Sequence, residues 1–190
     1  MNFAEAASFF GSFIRHPRDV SSIIPTSRAS ACAIAATIRP QGRTVAVEYG
    51  PGSGPVSAAV LEVLAPGDRL ILIEKVPELA AQLRARFASD PRVTVVCGSA
   101  ADVATILEQC GESRAQVVLS SIPLSLMEPA LRDSILAATA QVLGPEGLFL
   151  VFLFRPRATA SYLAPRFPRT GPPRLLLWNI PPLWLFSARV

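Results

Sequence analysis

From position 44 onward, short unbroken apolar runs alternate with longer stretches in which apolar residues recur every three or four positions. The runs, bounded by turn residues, predict strands buried on both faces, and the longer stretches predict helices with one buried side. Strands are expected at 44–49, 69–74, 92–97, 115–121 and 147–154, and helices at 54–64, 76–87, about 101–110 and 128–143. "APGD" (65–68) reads as a turn, and Pro77 falls in the first turn of its helix, where its missing N–H costs nothing. This βαβ rhythm predicts a parallel sheet with helices on both sides. The Pro-rich end, "RTGPPRLLLWNIPPLWLFSARV" (169–190), reads as two strands split at "NIPP" that finish the sheet antiparallel, as edges that tolerate proline. At the other end, residues 3–14 put Phe3, Ala6, Ala7, Phe10, Phe13 and Ile14 on one helical face, with Glu5, Ser8, Ser12 and Arg15 opposite. The expected organisation is an amphipathic helix and linker over 1–25 and a single α/β domain over 26–190.

Composition narrows the class. The chain has 190 residues, of which 51% are hydrophobic, enough for one domain with a sizeable core. Its longest apolar run, "LFLVFLF" (148–154), is strand-sized and far short of the ~20 residues of a membrane span. The start, "MNFAEAASFF", carries an acid and no basic region, so it does not read as a secretory signal. Cys32, Cys97 and Cys110 are odd in number and lack metal-ligand spacing, which points to reduced thiols in a cytosolic setting and to no metal. Charge is unevenly spread: +3 over 1–43, −5 over 44–146 and +6 over 147–190, where six arginines meet no acid. Two basic ends around an acidic middle suggest a face turned to a polyanion, either RNA or an anionic membrane.

The chemistry concentrates at "VAVEYGPGSGPVS" (45–57). A buried strand ends at Glu48, and Gly50, Pro51, Gly52 and Gly54 then let the main chain turn tightly and approach a ligand. Loops of this kind, at the carboxyl end of a first parallel strand, hold nucleotides. No "GK[ST]" follows, and Pro55 occupies the position three beyond Gly52, so neither phosphate-loop pattern is met. An acid beside the loop suits a ligand bearing an ammonium and a sulfonium, which points to S-adenosyl-L-methionine and its product S-adenosyl-L-homocysteine. Glu74 ends the second strand, where a carboxylate accepts ribose hydroxyls in nucleoside sites generally. The competing readings are a surface acid at Glu48 and an ion pair between Glu74 and Lys75. "CGSAAD" (97–102) and "SSIPLS" (120–125) follow the third and fourth strands. They place Ser99 and Ala100 at an adenine edge, and Ser120, Ser121 and Ile122 near the transferred group.

Five segments carry a resemblance: "IIPTSRASA" (23–31), "VEYGPGSG" (47–54), "LIEKVPELAAQL" (72–83), "SSIPL" (120–124) and "WNIPPLWLF" (178–186). Together they resemble the bacterial phospholipid N-methyltransferases, S-adenosylmethionine-dependent enzymes related to rRNA adenine dimethylases. Tyr49 and Ser53 stand where the family usually has Leu and Thr. The resemblance implies a Rossmann-like class I methyltransferase fold, with a mostly parallel seven-stranded sheet and an antiparallel closing strand. It also implies stepwise methylation of phosphatidylethanolamine to phosphatidylcholine, peripherally on the cytoplasmic face of the membrane, by a monomer. Carried over by position, Thr26 and Ser27 help hold the methionine end, Glu48 and the loop the methionyl and ribose portion, and Glu74 the ribose. Tyr49, Ser120 and Asn179 form the expected catalytic set, and Phe10, Phe13, Arg15 and Arg18 the expected contact with anionic lipid. For the proton lost by the substrate ammonium, Tyr49, Glu48 or a water are the candidates; His16, the only histidine, is far in sequence from the crevice loops.

Two rivals come from other classes. A nucleic-acid adenine N-methyltransferase would hold its base with an Asn/Asp-Pro-Pro-aromatic motif after the fourth strand. Here that place reads Ser121-Ile122-Pro123-Leu124, with neither polar head nor stacking ring, which speaks against a nucleic-acid partner. A non-enzymatic lipid-binding module would have no need of the intact Glu48 loop and Glu74.

Overall fold

The computed structural model describes residues 26–40, 42–153 and 159–190. The expected N-terminal amphipathic helix, with Phe10, Phe13, Arg15 and Arg18, lies outside them. In chain order the elements are α1 (Arg28–Ala35), β1 (Val45–Tyr49), α2 (Pro55–Val63), β2 (Arg69–Glu74), α3 (Pro77–Arg86), β3 (Val93–Cys97), α4 (Val103–Gln109) and β4 (Ala115–Ser120). Then come α5 (Pro129–Val142), β5 (Leu143–Leu153), α6 (Thr159–Leu163), β6 (Arg174–Leu176) and β7 (Leu183–Ala188). Short 3₁₀ turns, Ala100–Asp102 and Leu124–Leu126, follow β3 and β4.

The seven strands form one sheet in the order β3-β2-β1-β4-β5-β7-β6. Strands β1 to β5 are parallel, and β7 runs antiparallel to β5. β6 pairs antiparallel with β7 and so returns to the common direction; of the two closing strands only β7 is reversed. Strand order reverses direction between β1 and β4, the switch point at whose carboxyl edge open α/β sheets bind their ligands.

Alternation along each strand divides the core in two. Val45, Val47 and Tyr49 point to the side covered by α4 and α5, where they meet Ile106, Ile135 and Leu136. Ala46 and its parallel neighbours Leu70 and Val117 face the other side, in one cluster with Ile34 of α1 and Val60 of α2. Burying a Val, Leu or Ile side chain gains roughly 1.5–3 kcal/mol, so both helical layers are held firmly to the sheet that carries the crevice loops.

The strands and the four helices after β1 fall where the periodicity puts them. Two short helices do not follow from it. α1 begins at Ser27, whose hydroxyl accepts a hydrogen bond from the Ser30 N–H at 3.2 Å, the signature of an N-cap. α6 is a five-residue helix after β5. β5 also starts earlier than expected, pairing Leu143 with Ala115 before a register shift resumes the ladder at Val117 and Leu148.

Candidate active site

The parallel register brings four strand ends to one edge. Glu48 lies beside Leu72 and Leu119, Tyr49 beside Ile73 and Ser120, and Glu74 beside Cys97. Glu48, the glycine loop, Glu74, Ser99, Ala100, Ser120 and Ile122 therefore all stand around the crevice.

Glu48 faces the α2 side and is buried, and its carboxylate accepts a hydrogen bond from Ser57 Oγ at 2.6 Å. Burial lifts its pKa to about 7; the Ser57 hydrogen bond opposes that rise and the nearby Glu74 charge adds to it. Ser57 was not among the expected site residues. Its signal was a single hydroxyl in the first turn of a helix whose other polar residue is Glu62 near its end, "PVSAAVLEV".

The three loop glycines all have positive φ: +64° at Gly50, +57° at Gly52 and +81° at Gly54. At Gly50 a Cβ would lie 2.7 Å from Ile122 Cγ2, so this position is closed by its neighbour across the crevice. At Gly52 a Cβ would meet nothing within 4 Å, so the main chain there faces open space. Gly54 N-caps α2 and donates its N–H to Pro51 O at 2.9 Å, with Pro55 at the first helical position. Glu74 steadies the loop: Gly52 N–H donates to Oε2 at 3.1 Å and Val76 N–H to Oε1 at 3.0 Å. Each carboxylate oxygen keeps a further lone pair, so the group can still accept two hydroxyls.

On the β4 side, Ser121 Oγ donates to the carbonyl oxygens of Tyr49 and Gly50, pinning the two crevice loops together. Ser120 is buried and its hydroxyl has no hydrogen-bond partner. Ser99 caps the 3₁₀ turn after β3, accepting from Ala101 N–H at 3.2 Å. Open space at Gly52, a buried carboxylate at Glu48 and an unsatisfied hydroxyl at Ser120 fit a polar, cationic nucleoside.

Two expected catalytic residues are buried and held by contacts of their own. Tyr49 is buried on the α5 side, its hydroxyl 3.1 Å from Thr139 Oγ1. Thr139 Oγ1 donates to Ile135 O, which leaves Tyr49 as the donor in that pair. Burial pushes the phenol well above its usual range, so it is no proton acceptor. The reason is parity: adjacent strand residues face opposite sides, and Glu48 holds the other. Asn179 is buried too, and acts as a clasp. Its Oδ1 accepts from Ser27 N–H at 2.8 Å and its Nδ2 donates to Pro181 O at 2.9 Å, while Ser27 Oγ donates to Trp178 O at 2.7 Å. Ser27 is thus joined to the β6–β7 turn. Among the described residues, no group of three His, Cys, Asp or Glu side chains is arranged to hold a metal ion, and no helix is long and apolar enough to cross a membrane.

The ornithine lipid N-methyltransferase of Singulisphaera acidiphila is 32% identical over 141 residues, which cover 74% of this chain and 73% of that protein. The chain belongs to this lipid N-methyltransferase family. No family profile matches it. Among solved structures, TrmN from Thermus thermophilus superposes with a TM-score of 0.68 at 16% identity, over 84% of this chain but only 48% of that one, about half its length. The glycopeptide N-methyltransferase MtfA, solved with (S)-adenosyl-L-methionine, gives a TM-score of 0.56 at 20% identity over 87% of this chain and 67% of its own. At these identities the two structures establish the Rossmann-like fold. The chain thus belongs to a lipid N-methyltransferase family and carries the fold in which MtfA holds S-adenosylmethionine.

Proposed function

We propose that this protein methylates the amine of phosphatidylethanolamine, and of its mono- and dimethyl derivatives, to give phosphatidylcholine on the cytoplasmic surface of a membrane. The observation that carries the reading is the Ser27–Asn179 clasp. It joins the two segments that, with the Ser-Ser-x-Pro-Leu loop, most resemble phospholipid N-methyltransferases, and does so at the edge where the donor crevice opens. The basic ends of the chain and the apolar stripe of residues 3–14, with Phe10, Phe13, Arg15 and Arg18, support attachment to an anionic bilayer.

When bound, S-adenosylmethionine supplies a methyl activated on a sulfonium, and attack by an amine lone pair leaves the neutral thioether of S-adenosylhomocysteine. Glu48 sets negative charge beneath the glycine loop, Glu74 offers acceptors for the ribose hydroxyls, and Gly52 leaves room for the ligand against the main chain. Ser99, Ala100, Ser120 and Ile122 border the remaining sides, with Thr26 and Ser27 at the rim. Alignment of a neutral amine with the methyl accounts for roughly 7–11 kcal/mol of the barrier without a covalent intermediate. With Tyr49 in the core, Glu48 and water remain to take the proton that the substrate ammonium sheds first.

A second reading is favoured by the relative's own name: the amine of an ornithine lipid. Incubation with methyl-labelled donor and vesicles containing phosphatidylethanolamine or ornithine lipid, followed by lipid separation, distinguishes them. Label in mono-, di- and trimethylated phosphatidylethanolamine supports the first reading, and label confined to ornithine lipid selects the second. Label in added RNA with none in either lipid would overturn both in favour of an adenine N-methyltransferase.

A further inference from the structure

The four most exposed large apolar side chains among the described residues are Ile180 (88%), Trp178 (76%), Leu177 (67%) and Leu126 (63%); the next, Leu131, is 41% exposed. All four lie at one end of the sheet. β7 pairs Trp184 with Leu153 and Leu183 with Leu176, so the turn between β6 and β7 stands at the carboxyl end of β5. Leu126 belongs to the 3₁₀ turn that follows the carboxyl end of β4. This is the edge at which Glu48, Glu74 and Ser120 end their strands.

The β6–β7 turn is built the reverse of an ordinary surface loop. Its polar residue, Asn179, is buried and bonded on both sides, while its apolar neighbours Trp178 and Ile180 project outward. The bonds from Ser27 to Trp178 O and from Asn179 to Pro181 O hold that display in place. Arg28 directly follows Ser27; its side chain is 90% exposed, with Glu62 3.9 Å from the guanidinium. An indole beside aliphatic side chains, with the Arg28 guanidinium one residue from the Ser27 that holds them, matches the layering of a bilayer surface: acyl boundary, then interface.

We infer that this rim is a membrane-docking surface, on which Trp178, Ile180, Leu177 and Leu126 enter the interface of an anionic phospholipid bilayer. The inference rests on the lipid reading above and goes beyond it. It turns the crevice mouth toward the bilayer, so that a lipid amine reaches the donor without the lipid leaving the membrane. It also supplies an anchor independent of residues 1–25.

The chain has two tryptophans, so Trp184→Phe leaves Trp178 as the sole reporter. Vesicles of phosphatidylcholine and phosphatidylglycerol should shift Trp178 emission to the blue, and lipids brominated on the acyl chain should quench it. Leu177→Asp/Ile180→Asp should weaken vesicle sedimentation about tenfold or more, since a carboxylate is costly at that depth, with donor affinity kept. Sedimentation with vesicles while Trp178 stays unshifted and unquenched overturns the inference, and methylation of phosphatidylethanolamine added to the same vesicles with labelled donor leaves the functional reading standing. Shielding of Trp178 from acrylamide without vesicles also overturns it. Relief of that shielding by Phe10→Ser/Phe13→Ser would assign the surface to the chain's own N-terminal segment, and relief by dilution to a second copy. Failure to sediment at all overturns the docking surface, and transfer to detergent-dispersed phosphatidylethanolamine then judges the functional reading separately.

Discussion

Replacing Glu48 with Gln keeps the side chain's size and an acceptor for Ser57 Oγ but removes the proton that the carboxyl exchanges. In the folded protein, burial raises that carboxyl from the usual 4.5 to about 7. The folded state therefore holds the proton more tightly than the unfolded chain. The group's contribution to stability is fully present below about pH 4.5 and is lost as pH rises through about 7. At about 1.4 kcal/mol per pH unit, the interval amounts to roughly 3 kcal/mol. A change of about 1 kcal/mol moves the melting temperature of a domain this size by about 2–4 °C, so the effect is about 6–12 °C. Thermal melts of both proteins without donor, taken from about pH 4.5 to 8, isolate it. The wild type should lose that much relative to Glu48→Gln, while other titrating groups cancel in the difference. Parallel curves across the window would show that the carboxyl is not held as the structure places it. The same group gives a second readout: a bound cation favours the carboxylate, so donor affinity should rise up to about tenfold between about pH 6 and its plateau, with no such slope in Glu48→Gln.

Tyr49→Phe should leave the turnover number unchanged and cost about 0.5–1.5 kcal/mol of stability for the lost bond to Thr139, a split read from steady-state kinetics beside urea unfolding; a large loss of turnover in a stable variant would return the phenol to the site. Gly52→Val has open space for its Cβ but sits at φ +57°, so it should remain folded at a cost of about 1–3 kcal/mol and abolish donor binding by calorimetry, whereas Gly50→Ala should destabilise further through its clash with Ile122. Glu74→Ala should weaken donor binding by roughly 1.5–3 kcal/mol, and equal affinities for it and the wild type would remove the ribose assignment. Asn179→Ala leaves Ser27 N–H without its acceptor and should lower stability by about 1–3 kcal/mol, visible as faster amide exchange at Ser27 than in the wild type.

Much of this protein is legible locally. Unbroken apolar runs separated by helical periods specify a parallel sheet, because strands covered on both faces need apolar residues at every position. An acid and three glycines after the first strand specify the crevice, since ligand approach depends on main-chain shape that glycine alone permits. What the sequence could not assign were choices made by packing. Which of Glu48 and Tyr49 faces the ligand is decided by which side of the sheet each helix covers; parity says only that they differ. Ser57 reaches Glu48 because α2 turns it back over the sheet. Ser27 meets Asn179 across 152 residues, a pairing that exists only once β7 has closed the sheet beside β5. The apolar rim emerges the same way: Leu177 and Trp178 read as strand residues and Ile180 as part of the split between strands, and all three stand exposed around the buried Asn179.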